Sequence, residues 1–236
     1  MKLIVKNKTS KGFHRLQELK RKSGTYENVK NDVSKNDFIR DEVLTSLLKE
    51  QGYLCAYCMQ KINQDNATIE HIIGQNYIEN SLEIGKENQI NYDNLLAVCE
   101  GKSCKNDLHC DKSRAKYQKE RPLFVSPLEN RIMQNIKFTP QGMIFYDQFT
   151  AIEEVEKLSD YENLSETENI KYDIQKVLNL NCDNLKQKRI NLINALKIFT
   201  KDWSNKERIR KKHNEYASNP SNEFSQVAIY HLAKKL

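Results

Sequence analysis

Apolar residues recur at spacings of three and four between Asp37 and Gln51, which predicts an amphipathic helix. The apolar positions are Ile39, Val43, Leu44, Leu47 and Leu48. Gly52 follows directly, and glycine readily adopts the left-handed conformation that ends a helix. We expect this helix to lead the chain into the first cysteine, Cys55.

The chain before this helix, residues 1–36, is basic and polar, and it is rich in Lys, Ser and Asn. Its apolar positions are few: Leu3-Ile4-Val5, Phe13 and Leu16. This pattern predicts an extended, basic N-terminal arm.

Short apolar and β-branched runs at Tyr53-Leu54 and Thr68–Ile73 predict the two strands of a hairpin. A polar turn, Asn91–Asn94, precedes a further apolar run, Leu95–Val98. The segment after Cys110 lacks turn residues, which predicts a helix. Residues 37–120 therefore read as one compact core with both helix and strand.

Beyond residue 121, Thr139-Pro-Gln-Gly142 separates two short apolar runs, 136–138 and 143–146, as the turn of a hairpin would. An acidic stretch, Glu153–Glu168, follows. The remainder predicts helices over Leu185–Phe199 and Phe224–Leu236. One side of the first carries Ile190, Leu192, Ile193, Leu196 and Phe199. The fold class is α+β, and residues 121–236 form a hairpin followed by a mainly helical region.

Composition supports a folded chain without a membrane segment. Of the 236 residues, 38% are hydrophobic and 30% are charged, and the mean hydropathy is -0.78. No apolar run approaches the roughly 20 residues of a membrane helix, and the start of the chain does not resemble a signal peptide. We therefore expect a cytoplasmic protein, in which thiols stay reduced.

The formal net charge of +6 is compatible with a polyanionic partner such as nucleic acid. Charge of this size is weak evidence, because much of it lies in runs such as Lys20-Arg21-Lys22 and Arg210-Lys211-Lys212. Each run alone is explained more simply as a solvated surface.

Cys55-Ala-Tyr-Cys58 is a C-x-x-C pair, found both in zinc sites and in redox proteins. The redox interpretation expects a helix N-terminus within a βαβ unit. Here the pair follows a predicted helix and precedes a predicted hairpin, which favours structural Zn²⁺. The other two ligands are predicted to be Cys99, which ends an apolar run, and Cys110, which opens the next helix.

Two other residues compete for the zinc site, because Cys104 and His109 lie in the same segment. The wide insertion 100–108 leaves open which of them replaces a proposed ligand. Cys182 is remote from this segment and is interpreted as a buried thiol. A knuckle whose zinc only folds a small module is the simplest alternative for the whole set.

Glu70 and His71 lie midway between the two cysteine pairs. Alone, they would be a surface carboxylate and a half-buried imidazole. Asp93-Asn94 directly precedes the run 95–98, however, and Asp111 directly follows Cys110. A zinc site would hold all of these polar groups near one point, and this convergence predicts a functional site.

The whole series resembles the motif of HNH (ββα-metal) nucleases over about residues 53–116. It runs C-x-x-C, Glu70-His71, Asp93-Asn94-Leu-Leu, and finally His109-Cys-Asp-Lys-x-Arg114. The resemblance implies a ββα-metal core with a structural zinc knuckle. It also implies that His71 is the general base, that Glu70 and Asp111 bind a catalytic Mg²⁺ or similar divalent cation, and that Asn94 fixes the loop orienting His71. These residue types suit hydrolysis of phosphodiester bonds.

The sequence departs from the family pattern, which usually has Asp or His before the base and His or Asn on the helix. Glu70 and Asp111 replace them, and both can bind Mg²⁺. His109 precedes the cysteine instead of following it, so it is a displaced third histidine, a phosphate contact or a zinc ligand. Lys112, Arg114 and Lys116 are expected to contact the nucleic-acid backbone, with a solvated helix face as the alternative.

Residues 40–116 are also similar to one HNH subgroup, the PtuB nucleases of Septu-type anti-phage defence, some of which are retron-associated. This resemblance implies a bacterial defence effector that cuts DNA, or RNA, together with a PtuA-type ATPase partner. The C-terminal helices would then be the docking surface. Two alternatives from other classes are a catalytically inactive zinc-binding nucleic-acid module and a regulatory subunit that binds only protein.

Overall fold

The computed structural model describes residues 1–30, 38–101, 107–117, 122–148, 154–155, 164–219 and 221–236. The protein has a mixed α/β fold with two small antiparallel sheets, β1-β2 and β3-β4. The strands are β1 (Ala67–His71), β2 (Leu95–Cys99), β3 (Ile136–Phe138) and β4 (Ile144–Tyr146). The helices are α1 (Lys11–Arg21), α2 (Ile39–Gln51), α3 (Ile84–Asn88), α4 (Cys110–Arg114), α5 (Asn130–Met133), α6 (Glu166–Tyr172), α7 (Asp183–Phe199), α8 (Lys206–Ser218) and α9 (Ser225–Ala233).

The N-terminal region is helical where an extended arm was predicted, and that prediction is wrong for residues 11–21. The Ser10 side chain caps α1 by accepting a hydrogen bond from the Phe13 backbone N–H. A side chain at Gly12 would collide with α2, since its Cβ would lie 2.7 Å from the Val43 Cα. Packing of α1 on α2 buries Leu16 completely. The sparse apolar pattern missed this helix because tertiary packing stabilises it.

The predicted helix that leads to Cys55 is confirmed as α2, Ile39–Gln51. Its proposed first residue, Asp37, lies outside the described residues. Gly52 ends the helix with φ +68°, the left-handed conformation that glycine adopts without strain. The chain then turns directly into the cysteine pair.

The predicted partner of the Glu-His strand is wrong, because β1 pairs with β2 and not with Tyr53-Leu54. The antiparallel register sets His71 opposite Leu95 and Ala67 opposite Cys99. Leu54 bridges to Lys61 instead. The cysteine pair lies in a tight turn that folds this short segment back on itself. The predicted helix after Cys110 is confirmed as α4, which contacts β2.

The side chain of Gln51, at the end of α2, forms hydrogen bonds with the buried backbone of β2, as a neighbouring strand would. Its amide nitrogen donates to the carbonyls of Ala97 (2.7 Å) and Leu54 (2.9 Å), and its oxygen accepts from the Ala97 N–H (2.8 Å).

A leucine at position 51 cannot replace these bonds, and buried polar groups without partners are costly. We expect Gln51→Leu to lower the free energy of unfolding by about 3 kcal/mol in urea denaturation. The control is Gln187→Leu at an exposed position, which should change the free energy of unfolding by about 0.5 kcal/mol or less. Equal destabilisation by the two substitutions would contradict the role assigned to the Gln51 hydrogen bonds.

The C-terminal half contains the predicted hairpin, since β3 pairs with β4 around Gly142 (φ +73°). Most of the predicted acidic stretch, Glu153–Glu168, lies outside the described residues. The helix predicted from Leu185 is α7, but its buried face is formed by Leu185, Arg189, Ile193 and Leu196. Ile190, Leu192 and Phe199 are half-buried at its edges. The helix predicted at the end of the chain is α9.

Most buried apolar side chains form one core that runs from Met1 to Val227. Cys182 is buried within it, as predicted. Within the described part of the chain, every helix is too short or too polar to cross a bilayer.

Candidate metal centre and cleft

Four thiols converge at one point of the core, and they are the four that the sequence predicts: Cys55, Cys58, Cys99 and Cys110. Their ligand atoms all lie within 4.8 Å of one another. The Sγ atoms of Cys55 and Cys110 are 3.8 Å apart, and those of Cys58 and Cys99 are 3.6 Å apart. A tetrahedral zinc with Zn–S bonds of about 2.3 Å requires sulfur pairs about 3.8 Å apart. The four cysteines could therefore hold a metal ion such as zinc.

Three separate elements bring the thiols together. Cys55 and Cys58 lie in the turn after α2, where the Cys55 N–H donates to the Gln60 carbonyl (2.8 Å). Cys99 ends β2, and its N–H donates to the Cys55 sulfur (3.3 Å). Cys110 opens α4 with φ +51°, and its N–H donates to the Leu178 carbonyl. A metal here would join α2, β2 and α4.

The thiols of this cluster perturb one another strongly. Burial raises the pKa of Cys58, but hydrogen bonds from Cys110, Cys55 and Cys99 outweigh burial and hold this pKa well below its usual range. Burial, followed by hydrogen bonds with Cys55 and Cys58, holds the pKa of Cys110 well above its usual range. Cys58 is thus favoured as a thiolate, while Cys110 is favoured as a protonated thiol. A divalent cation would favour loss of the Cys110 proton, because thiols bind metal as thiolates.

His109 lies beside the cluster, whereas Cys104 lies outside the described residues. The Nδ1 atom of His109 is 3.3 Å from the Cys110 sulfur and 3.9 Å from the Cys99 sulfur. Its side chain is buried. This position next to the sulfurs suits a hydrogen-bonding neighbour of the metal site, because the four thiols already provide a tetrahedral set.

A polar cavity of about 440 Å³ lies where β1 meets α4. It brings together three of the four predicted catalytic residues: Glu70 and His71 from the end of β1, and Asp111 from the first turn of α4. The loop after β1 completes the wall. The lining residues are Thr68, Ile69, Glu70, His71, Gly74, Gln75, Asn76, Asp111 and Arg114.

The two ring nitrogens of His71 have different partners. Nε2 lies 2.9 Å from the Gln89 backbone carbonyl, which can only accept, so Nε2 carries the proton. Nδ1 therefore bears the lone pair, and the Gln75 side-chain amide lies 3.4 Å from it on the cavity wall. Burial, aided by the charge of Arg114, lowers the pKa of His71 to about 4. The imidazole is neutral at neutral pH, as a general base must be.

Asn94 holds the loop that follows His71. Its side-chain oxygen accepts from the Ile73 N–H (2.8 Å), and its amide donates to the carbonyls of Ile73 and Asn88, each at 3.1 Å. The Asn94 carbonyl also accepts from the Ile72 N–H (3.0 Å). Buried directly before β2, this side chain joins the loop after β1 to the end of α3.

Arg114, predicted to contact nucleic acid, is buried and forms its hydrogen bonds within the protein. Only 3% of it is exposed, and its guanidinium donates to the Glu70 carboxylate, to the His71 carbonyl and to the Ile72 carbonyl (2.9 Å). The proximity of Glu70 outweighs the desolvation of Arg114 and raises its pKa. The expected contact rested on the family resemblance, whereas the structure directs the Arg114 side chain to Glu70 and the end of β1.

The two remaining predicted contacts lie elsewhere on α4 and its end. Lys112 is half-buried and Lys116, just past the helix, is exposed. Neither lines the cavity that holds Glu70 and His71. Their contact with nucleic acid stays a prediction.

Sequence reasoning missed three residues around His71. The Tyr26 ring packs edge-on against the imidazole, with centroids 4.5 Å apart. Gln89 contacts both, because its side-chain oxygen accepts from the Tyr26 N–H (2.9 Å) while its carbonyl holds Nε2. Gln75 follows the Glu-His pair by four residues, and this polar loop was the one available signal. Nothing in the local pattern identifies Tyr26 or Gln89.

No protein-family profile matches this chain, and no curated protein matches it either.

Proposed function

We propose that this protein is a metal-dependent nuclease of the HNH class that hydrolyses phosphodiester bonds in nucleic acid, with DNA as the expected substrate. The observation that carries the proposal is the arrangement of His71, whose Nε2 is anchored by the Gln89 carbonyl while its other nitrogen is next to a cavity lined by two carboxylates. Strands β1 and β2 with helix α4 would constitute the ββα-metal core.

In this proposal His71 takes a proton from water at Nδ1. The Gln89 carbonyl keeps the ring in the required tautomer, because it leaves the lone pair on Nδ1. Asn94 holds the following loop, and the Gln75 amide occupies the place next to Nδ1. Water must displace that amide to reach the base.

Glu70 and Asp111 would hold the catalytic Mg²⁺ or a similar cation. Their fit rests on the donor set, since two carboxylates line one open cavity and hard cations prefer oxygen ligands. When bound, the cation would stabilise the negative charge that develops on the phosphate and on the leaving oxygen. Arg114 holds one Glu70 oxygen and two backbone carbonyls of the β1 end, so we assign it to positioning Glu70.

The four-cysteine cluster would bind structural Zn²⁺. Its sulfur-sulfur distances support tetrahedral coordination, and all four positions are protein thiols, which is typical of sites that stabilise a fold. The zinc would hold β2 and α4 at the spacing that brings Asp111 to His71.

The ion pair between Arg114 and Glu70 favours one alternative, a zinc-binding module that holds nucleic acid without cutting it. Arg114 already neutralises a carboxylate that the nuclease mechanism assigns to a cation. Incubation of plasmid DNA with the purified protein in Mg²⁺, Mn²⁺ or Ni²⁺ separates the two functions. Metal-dependent strand breaks support the nuclease, whereas retention without breaks supports the binding module.

The proposal extends to a defence effector that acts with a PtuA-type ATPase, and for this the support is the sequence resemblance over residues 40–116. A neighbouring ATPase gene, together with co-purification of the two products, is the expected finding.

Acid sensitivity provides a further prediction. Because the lowered pKa of His71 is about 4, the base becomes protonated only near that pH, and kcat/KM should fall as the pH decreases through about 4. The imidazole likewise contributes stability above its ordinary pKa of 6.5 that is lost progressively as the pH falls towards 4. Burial is the main cause of the lowered pKa of His71, and the Tyr26 ring contributes to that burial. Tyr26→Ala should therefore move the acidic limb of the pH profile to higher pH, whereas Tyr26→Phe keeps the ring and should leave this limb unchanged. A decrease in the kcat/KM of the wild-type protein already near pH 6.5 would refute this prediction.

A further inference from the structure

The positive charge of the protein is concentrated in its last quarter. Residues 183–236 contain twelve Lys and Arg against five Asp and Glu, whereas residues 1–182 contain 26 against 27. The net charge of +6 therefore arises from the segment that contains α7, α8 and α9. The cavity with His71 and Glu70 belongs to the other, nearly neutral part.

These three helices form a small unit around a shared apolar cluster made of Leu196, Ile209, Ala228 and Leu232. Helix α8 contributes a single fully buried residue, Ile209. The rest of its surface is half-buried or exposed, and its exposed cations are Lys206, Arg208, Arg210 and Lys211. Lys234 and Lys235, which directly follow α9, are exposed as well. The positive charge thus lies on an exposed helical surface.

Three of these six cations donate to neutral groups, and none of the six forms an ion pair with a carboxylate of the described residues. Lys206 donates to the Lys235 carbonyl, Arg208 to the Phe199 carbonyl (3.1 Å), and Lys234 to the Tyr230 hydroxyl (2.6 Å). Among the described residues, the ion pairs of this unit are Lys186 with Asp183 and Lys212 with Glu215. The positive potential is therefore largely uncompensated, which is what a polyanion-binding surface requires.

Three lysines lie close enough to His231 to affect its charge state. Burial, and then the charges of Lys234, Lys197 and Lys235, lower the pKa of His231 to about 4. The Nε2 atom of His231 is buried and has no hydrogen-bond partner among the described residues. Like charges held together without anions destabilise the fold, and a bound polyanion would relieve their repulsion.

We infer that the helical unit 183–236 is a second, non-catalytic surface that binds the phosphate backbone of duplex DNA. The choice of nucleic acid over another polyanion rests on the proposed function. The aromatic rings favour a duplex, because single-strand binding uses open ring faces for base stacking. Here Lys212 covers Phe199 at 5.0 Å, and Lys234 covers Tyr230 at 4.2 Å from the ring centroids. With these ring faces covered, the surface can contact nucleic acid through its phosphate backbone.

The test measures binding to short fluorescent duplex DNA by anisotropy, using His71→Ala protein without added divalent metal or chelator. In that background the cations Lys206, Arg210, Lys234 and Lys235 are all changed to Gln. We expect at least about tenfold weaker binding near 100 mM salt. The salt slope (log K against log salt) should become smaller by about 3.6, because each of the four lost phosphate contacts removes about 0.9. The matched control changes four exposed cations of residues 1–182, Lys11, Lys20, Lys22 and Lys86, to Gln.

The control variant loses the same net charge and should bind within about twofold of the parent. Equal weakening in both variants, absence of binding by the parent, or tighter binding of single strands than of duplex would each overturn the inference. Circular dichroism verifies that both variants fold. Intact binding without metal-dependent cleavage by the wild-type protein would instead refute the proposed nuclease and leave this surface standing.

Discussion

His71→Ala should lower the rate of metal-dependent DNA cleavage by about 10²- to 10⁴-fold, the usual contribution of a positioned general base. The Nε2 atom of His71 is anchored to the Gln89 carbonyl, and its other nitrogen is next to the cavity that holds Glu70 and Asp111. Alanine removes the proton acceptor while leaving the thiols untouched. The measurement is the initial rate of plasmid nicking in Mg²⁺ and Mn²⁺, with bound zinc quantified in both proteins.

The control is His14→Ala, because His14 is exposed on α1 and lies outside the cavity. We expect it to keep the wild-type rate. Retained cleavage in His71→Ala, with one zinc still bound per chain, would show that another group is the base. Lost cleavage together with lost zinc would show instead that His71 supports the fold.

Cys58→Ser should remove the metal and most of the stability of the core. Its sulfur is 3.6 Å from that of Cys99 in the four-thiol cluster. Structural zinc contributes apparent free energies of about 10–16 kcal/mol in small zinc-binding peptides, and this matches or exceeds the whole stability of a typical domain. We expect zinc content to fall from one equivalent to near zero, with loss of the cooperative thermal transition.

Two further cysteines are the controls for this experiment. Cys182→Ala removes a buried thiol outside the cluster, so it should keep one zinc and cost about 1 kcal/mol. Cys104→Ser tests the ligand that the sequence left open, and it should also keep one zinc. A wild-type zinc content and melting temperature in Cys58→Ser, or zinc loss in Cys104→Ser, would contradict the assigned ligand set.

Patterns confined to one element were predicted well from the sequence. The spacing of Val43, Leu47 and their neighbours defined α2, and Gly52 marked its end. The turn at Gly142 marked the β3-β4 hairpin. Such features are encoded within a few residues, because periodicity and turn chemistry act locally.

The pairing of strands was not predictable in the same way. β1 has a clear strand pattern, but its partner β2 lies 24 residues further along, beyond a loop and the short helix α3. A strand pattern specifies which face is buried and not which neighbour it pairs with. The nearest apolar run, Tyr53-Leu54, is instead held by the cysteine turn.

The sequence by itself determined the chemistry available to this protein: four thiols, a Glu-His pair, Asn94 and Asp111 at spacings that converge. Tertiary structure alone decided how that chemistry is arranged. It buried Arg114 against Glu70, brought Tyr26 and Gln89 onto His71, and packed the last three helices around a shared apolar cluster that leaves most of their cations exposed. These outcomes depend on contacts between residues far apart in the chain, whose burial and charge no local pattern records.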